Sequence, residues 1–240
     1  MVINEIVTMY IIMNFIIHIL PINNYHIFQL SISNITLKIK GKGYNKIFSS
    51  YEGFQNYYYP SEIYINGNKQ NNINHTYYFN DTHNYVELIW NNEINNSDYI
   101  FYKCLNITEI DLSNFNTSQV TSMNHMFDGC ASLNSINLDL SKFNTTKVTS
   151  MSSLFNNCIS LTSLNLSNFN TSNVINMDFM FYNCLNLRYL NLQNFSGIKL
   201  SDSGYKNIFD NISENAVICI KDTNYNMKIL DQIKTKNVIL

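Results

Sequence analysis

The sequence predicts an α/β fold: a short leucine-rich-repeat solenoid with a strand plus a helix in each repeat of about 26 residues, preceded by a β-rich capping module. Three observations predict it. First, residues 107–130, 136–158 and 161–184 align in register. Phe-Asn-Thr recurs at Phe115, Phe143 and Phe169, followed in each copy by Val120, Val148 or Val174, by Met123, Met151 or Met177, and by a cysteine. Second, each unit opens on the spacing L-x-x-L-x-L, as in Leu161, Leu164 and Leu166, whose central apolar side chain turns inward in a strand. Third, Val120, Met123, Met126, Phe127 and Cys130 follow at offsets of three and four, which share one face of a helix. Neither half can bury its apolar row alone; stacked copies bury both.

Taken in order, the chain opens with an apolar run over residues 6–20. The run is short for a membrane span, which needs roughly 20 residues, and it suits a signal peptide over residues 1–21. Glu5, the lack of a preceding Lys or Arg and the lack of a small-residue cleavage site speak against this. A buried or amphipathic segment and a misassigned start at Met9 or Met13 are the alternatives. No later segment is long and apolar enough to cross a bilayer, so no span is expected in the mature chain.

Residues 22–96 read as the β-rich N-terminal module. Ile35, Leu37 and Ile39 alternate with polar residues, residues 62–66 run into Gly67 as an Asn-Gly turn, and residues 77–79 and 86–90 are further strands. Residues 86–90 also read as a degenerate first rung, because residues 99–104 align with the second half of a repeat. The module is expected to cap the open end of the solenoid. Residues 97–200 hold the repeats, with Thr117 or Ser118 placed to cap the first helix. After Leu200 the pattern fades. Residues 201–240 are expected to form a C-terminal cap, with a strand at 216–220 and a helix at 225–233 that buries Met227, Leu230 and Ile233.

The unit L-x-x-L-x-L-S-N-F-[DN]-T-S-x-V-T-x-M-x-x-M-F-x-x-C resembles the BspA-like leucine-rich-repeat surface proteins of bacteria and several microbial eukaryotes, over roughly residues 99–200. The resemblance implies an extracellular or surface-exposed solenoid used in adhesion or protein binding. Asn116, Asn144 and Asn170 stand where that family often carries Asp, which removes a row of negative charge.

Composition narrows the partners. The net charge is −2 and charged residues are only 13% of the chain, so there is no basic face for nucleic acid. No nucleotide-binding, nucleophile-elbow or metalloprotease motif occurs, so no enzyme, cofactor or metal is expected. Of five cysteines, Cys104, Cys130, Cys158 and Cys184 share one repeat position. They read as buried thiol plugs, or else as a ladder of disulfides or a metal site, although neighbouring helices stand about 8–10 Å apart and disulfides need Cα atoms within about 7 Å. Cys219 reads as a strand core residue. The repeated Met and Phe stripe reads as core. The tyrosine run 57–59 reads equally as a recognition surface or as capping core. Among many Asn-x-Ser/Thr sequons, Asn74 and Asn80 in a polar loop are the candidate glycosylation sites, whereas Asn116, Asn144 and Asn170 read as repeat elements bonding backbone. His75 and His83 flank a loop with Asp81 and read as solvated loop histidines.

The expected ligand-binding face is the outward row of the stacked strands, on the concave side: Glu109, Asp111, Ser135, Asn137, Ser163, Asn165, Tyr189 and Asn191. This polar row suits a glycan or a polar protein surface; together with the surface location and adhesion that the resemblance implies, the expectation is a secreted or cell-surface recognition or adhesion protein that binds a protein or glycan on another cell or matrix. A self-assembling coat or matrix protein is the alternative.

Overall fold

The computed structural model describes residues 33–54, 58–134, 140–221 and 223–234, within a unit spanning Ser31–Leu240. The expected leader over residues 1–21 lies outside them, as do Tyr57, Ser135 and Asn137. Among the described residues the fold is mostly β, with one α-helix.

The N-terminal module follows its alternation. Strand β1 (Ser33–Lys40) points Ile35, Leu37 and Ile39 into the core and their neighbours outward. Strands β2 (Gly43–Lys46) and β5 (Thr76–Phe79) form an antiparallel ribbon. Strands β3 (Glu62–Ile65) and β4 (Asn68–Lys69) are joined by Asn66-Gly67, both with positive φ (48° and 80°), as the favoured two-residue hairpin turn requires. Strand β6 (His83–Trp90) pairs antiparallel with β1 and β3. It is therefore a module strand and not a degenerate rung. The first rung is β7 (Ile107–Asp111), which pairs antiparallel with β1 and closes a sheet of order β4-β3-β6-β1-β7. Strand β1 of the module thus shares a sheet with the first rung. Of the aromatic run, the half-buried Tyr58 and Tyr59 stack on Phe54 at the edge of the core.

Beyond β7 the chain forms stacked coils. Strands β8 (Ser163–Asn165), β9 (Tyr189–Asn191) and β10 (Val217–Cys219) run parallel, and further along each coil Asn96, Ser122, Ser150 and Asn176 form parallel bridges. The helix expected in each repeat is absent. Its apolar row (Val120, Met123, Met126, Phe127, Cys130) is fully buried, but the backbone is a succession of turns. His125 and Gly129 have positive φ, as do Ser153 and Asn157, Phe179 and Asn183, and Asn207 and Asn211. Two left-handed residues four apart in each coil are incompatible with a right-handed helix. The hydrogen bonds give the reason. Met126 and Cys130 bond back three residues to Met123 and Phe127, whereas the N–H groups of His125, Phe127 and Gly129 donate to the carbonyls of Ser152, Leu154 and Asn156 in the next coil. An offset of three fits both arrangements, so the apolar spacing does not discriminate between them.

Side-chain ladders hold the coils in register. Phe101, Phe127, Phe155, Phe181 and Phe209 stack nearly parallel with centroids 5.3–5.9 Å apart. Trp90, Phe115, Phe143 and Phe169 form a second column. Thr117, Thr145 and Thr171 are buried, and each hydroxyl accepts the N–H of the next coil's Asn144, Asn170 or Ser196 while donating to the same residue's carbonyl. The threonine expected as a helix cap thus links coil to coil.

The pattern does not end at Leu200. Asn207, Phe209 and Asn211 repeat the geometry of the coil before them. In this coil Gly204 replaces the bridge residue, because a Cβ there would lie 2.2 Å from the Ile175 carbonyl oxygen. Helix α1 (Met227–Lys234) then covers the end with Ile229, Leu230 and Ile233; Met227, expected inside, is exposed.

Candidate recognition face

The strands dictate which side chains face out. On the five-stranded sheet the inward row Ile65, Val86, Leu37 and Ile110 is flanked by two outward rows: Tyr64, Glu87, Thr36 and Asp111, and next to it Tyr85, Lys38 and Glu109. Most of the charges on this face have a partner. Lys38 Nζ lies 2.7 Å from Glu109 Oε1, and that bond holds the ammonium pKa above its ordinary value. Lys69 Nζ lies 3.0 Å from Glu62 Oε2. The Lys69 bond, with the Tyr64 hydroxyl donating to the same oxygen at 2.9 Å, holds the Glu62 carboxyl below the usual carboxylate range. Asn34 Nδ2 donates to Glu87 Oε1 at 3.1 Å.

A cavity of about 340 Å³ opens on this face, lined by Thr36, Tyr64, Gly67, Tyr85, Val86 and Glu87. Tyr85 is 56% exposed. A shallower cavity of about 240 Å³ lies along the Phe-Asn-Thr turn, between Ser113 and Asn144.

The residues expected to bind ligand divide into three groups. Glu109 and Asp111 lie on β7 and belong to the five-stranded face. Ser163, Asn165, Tyr189 and Asn191 lie on β8 and β9, where their row continues into Val217 and Cys219 of β10. Ser135 and Asn137 lie outside the described residues. Position in the coil gives some of these side chains another task. The side-chain oxygens of Asp111, Asn165 and Asn191 each accept the N–H two residues on, from Ser113, Ser167 and Gln193, at 2.9–3.1 Å. These are Asx turns that end the strand. Tyr189 is 41% exposed, with Cys219 Sγ 3.9 Å from its hydroxyl. Cys219 thus faces outward, opposite to the expected core position, because the inward residue of β10 is Ile218.

Two residue sets have structural roles. Cys130, Cys158 and Cys184 are fully buried free thiols, each donating to a phenylalanine carbonyl of the preceding coil at 3.1–3.3 Å. Burial pushes their pKa up, for Cys184 to about 12. Asn116, Asn144 and Asn170 close their turns by accepting the N–H of Ser118, Thr146 and Ser172. Asn74 and Asn80 are exposed. Among the described residues no group of three His, Cys, Asp or Glu side chains is placed to hold a metal ion, and no helix is long and apolar enough to cross a membrane.

A family model described as "Mycoplasma protein of unknown function, DUF285" matches residues 68–217, more than half of the chain. The chain belongs to the DUF285 family. The DUF285 match runs from β4 to the first residue of β10, so it takes in most of the stacked coils together with β4, β5 and β6 of the module. No curated protein and no solved structure matches the chain.

Sequence reasoning missed Thr36, Tyr64, Tyr85 and Glu87. The signal was present in the alternation of residues 83–90, which marks Tyr85 and Glu87 as outward once Val86 and Leu88 are inward.

Proposed function

We propose that this chain is a non-catalytic recognition protein, secreted or held at a cell surface, that binds a protein or glycan partner on the outward face of its strands. The reading is that of a leucine-rich-repeat surface protein of the BspA-like kind, with the coils as scaffold. The observation that carries it is the outward face of β3, β6, β1 and β7. There, side chains from four strands are held by an ion pair between β1 and β7, a hydrogen bond between β1 and β6 and one within β3, beside an open cavity bearing two tyrosines. Groups already held in place lose little entropy on binding, and exposed tyrosines are favoured contact residues.

The test has two arms. Protease added to intact expressing cells should cleave the chain, and purified chain should adhere to target cells. Tyr85→Ala should weaken adhesion, while Tyr189→Ala and Asn191→Ala on the second sheet report whether that row contributes. A chain retained inside the cell, or no adhesion to any surface, sinks the reading.

Self-assembly into a coat is the second reading. It draws on Leu105, Ile159 and Leu185, which follow the buried cysteines at one repeat position and are 55%, 40% and 54% exposed. Sedimentation across a wide concentration range decides it, because a monomer at every concentration removes it.

A further inference from the structure

We infer that the cavity between Tyr64 and Tyr85 is a subsite for one uncharged, polyhydroxylated ring of a glycan. The inference rests on the recognition reading above and narrows it to a ligand class. The cavity volume of about 340 Å³ is at the small end of ligand pockets and suits a ring rather than a peptide segment. Its lining combines two phenol rings, one carboxylate and one hydroxyl. Aromatic faces pack against the C–H face of a sugar ring, while a carboxylate accepts from neighbouring hydroxyls. Gly67 leaves one wall free of a side chain: a Cβ there would meet nothing within 4 Å. Its φ of 80° follows from the hairpin turn, so the opening is built into the fold.

Charge decides between ligand classes. Glu62, Glu87, Glu109 and Asp111 stand on this face against Lys38 and Lys69, and both lysines are engaged by Glu109 and Glu62. Among the described residues Glu87 is the only charged group that lines the cavity, so a sulfated, phosphorylated or sialylated ligand meets repulsion there. A cationic ligand meets a different obstacle. Lys69 Nζ already lies 5.9 Å from the centroid of the Tyr64 ring, so the chain's own ammonium occupies the cation position beside that tyrosine. An uncharged ring that offers hydroxyls to Glu87 and Thr36 meets neither difficulty. Tyr64 is oriented for this by its bond to Glu62, and Glu87 by Asn34.

Saturation-transfer NMR on the intact chain tests the inference. The probes are neutral hexose and N-acetylhexosamine oligosaccharides, their sialylated and sulfated counterparts, and a lysine-rich peptide. Neutral sugars should receive saturation through their ring C–H protons, with affinity unchanged between low and high salt because no charge pair forms. Tyr85→Ala should weaken binding roughly tenfold, and Glu87→Gln severalfold. Tyr189→Ala, on the other sheet, should leave it unchanged. Tyr85 is exposed, and an unchanged melting temperature verifies that its variant is folded. If no neutral sugar binds, if only the charged probes bind, or if Tyr85→Ala binds as the parent does, the inference is overturned. Adhesion that survives in Tyr85→Ala would then leave the broader recognition reading standing, whereas sugar binding without any cell adhesion would remove that reading and leave the subsite.

Discussion

Single residues carry much of the strain and selectivity in the coils. Asp98 Oδ1 accepts from Ser122 Oγ and from the Asn124 N–H, both at 2.6 Å, and Asn124 Oδ1 does the same for Ser150 and Ser152. At the corresponding place in a later coil the partner residue is Gly204, and the buried Asp178 Oδ1 has no partner. Serine cannot stand at 204, because its Cβ would collide with backbone. Gly204→Ala is therefore expected to cost at least about 2 kcal/mol, read from a urea melt; an unchanged midpoint would mean that the close approach relaxes freely. The thiols give a pH dependence with a definite sign. Their folded pKa values lie above the ordinary thiol value of about 8.5. The folded chain thus holds protons that the unfolded chain releases. The contribution is complete below about pH 8.5 and is lost as pH rises toward the folded values, about 12 for Cys184. Melting temperature should fall between about pH 8 and pH 11, and Cys158→Ala should flatten that slope even though it lowers stability at neutral pH. In the native chain Cys219, half-buried on the outer face, should react with a thiol reagent before the buried cysteines.

At the scale of elements, the repeat is stabilised between coils rather than within them. A helix would satisfy its own N–H groups, whereas these coils donate alternate N–H groups to the next coil. Thr145→Val tests the threonine ladder. The isosteric change removes the buried hydroxyl to which the Asn170 N–H and C=O both bond, an expected loss of about 1 kcal/mol. The phenylalanine column is tested by Phe155→Ala, which removes a ring stacked on both sides, by Phe127 and Phe181, and should cost about 3–5 kcal/mol. Phe209→Ala, stacked among the described residues of the column on its Phe181 side alone, should cost less. Equal losses at the two positions would argue against neighbour-to-neighbour stabilisation. Circular dichroism should also lack the helical signal that a helix in every repeat would give, since only Met227–Lys234 is α-helical among the described residues.

Across the molecule, stability should be graded. Each coil bonds only to its neighbours, so opening proceeds most easily from an end. One end is held by the antiparallel pairing of β1 with β7, the other by the short helix α1. Hydrogen exchange should therefore be slowest at the amides of Phe127 and Phe155 and faster toward Asn207 and β10. Uniformly fast exchange over residues 120–158 would contradict the stacking. The sequence by itself determined the repeat, the inward rows of the aligned copies among the described residues, the Asn-Gly hairpin turn and the buried placement of Cys104, Cys130, Cys158 and Cys184, because burial follows the period of apolar side chains. It did not determine where the backbone hydrogen bonds go. The same offsets of three and four serve a helix bonded to itself or a turn bonded to its neighbour, and only the tertiary structure, by setting left-handed residues twice in each coil, decided for the second. The outward face was decided in the same way: β6, which reads both as a module strand and as a degenerate rung, pairs as a module strand, and cross-strand register, a long-range property with no local signature, brought Tyr64, Tyr85 and Glu87 together beside Thr36.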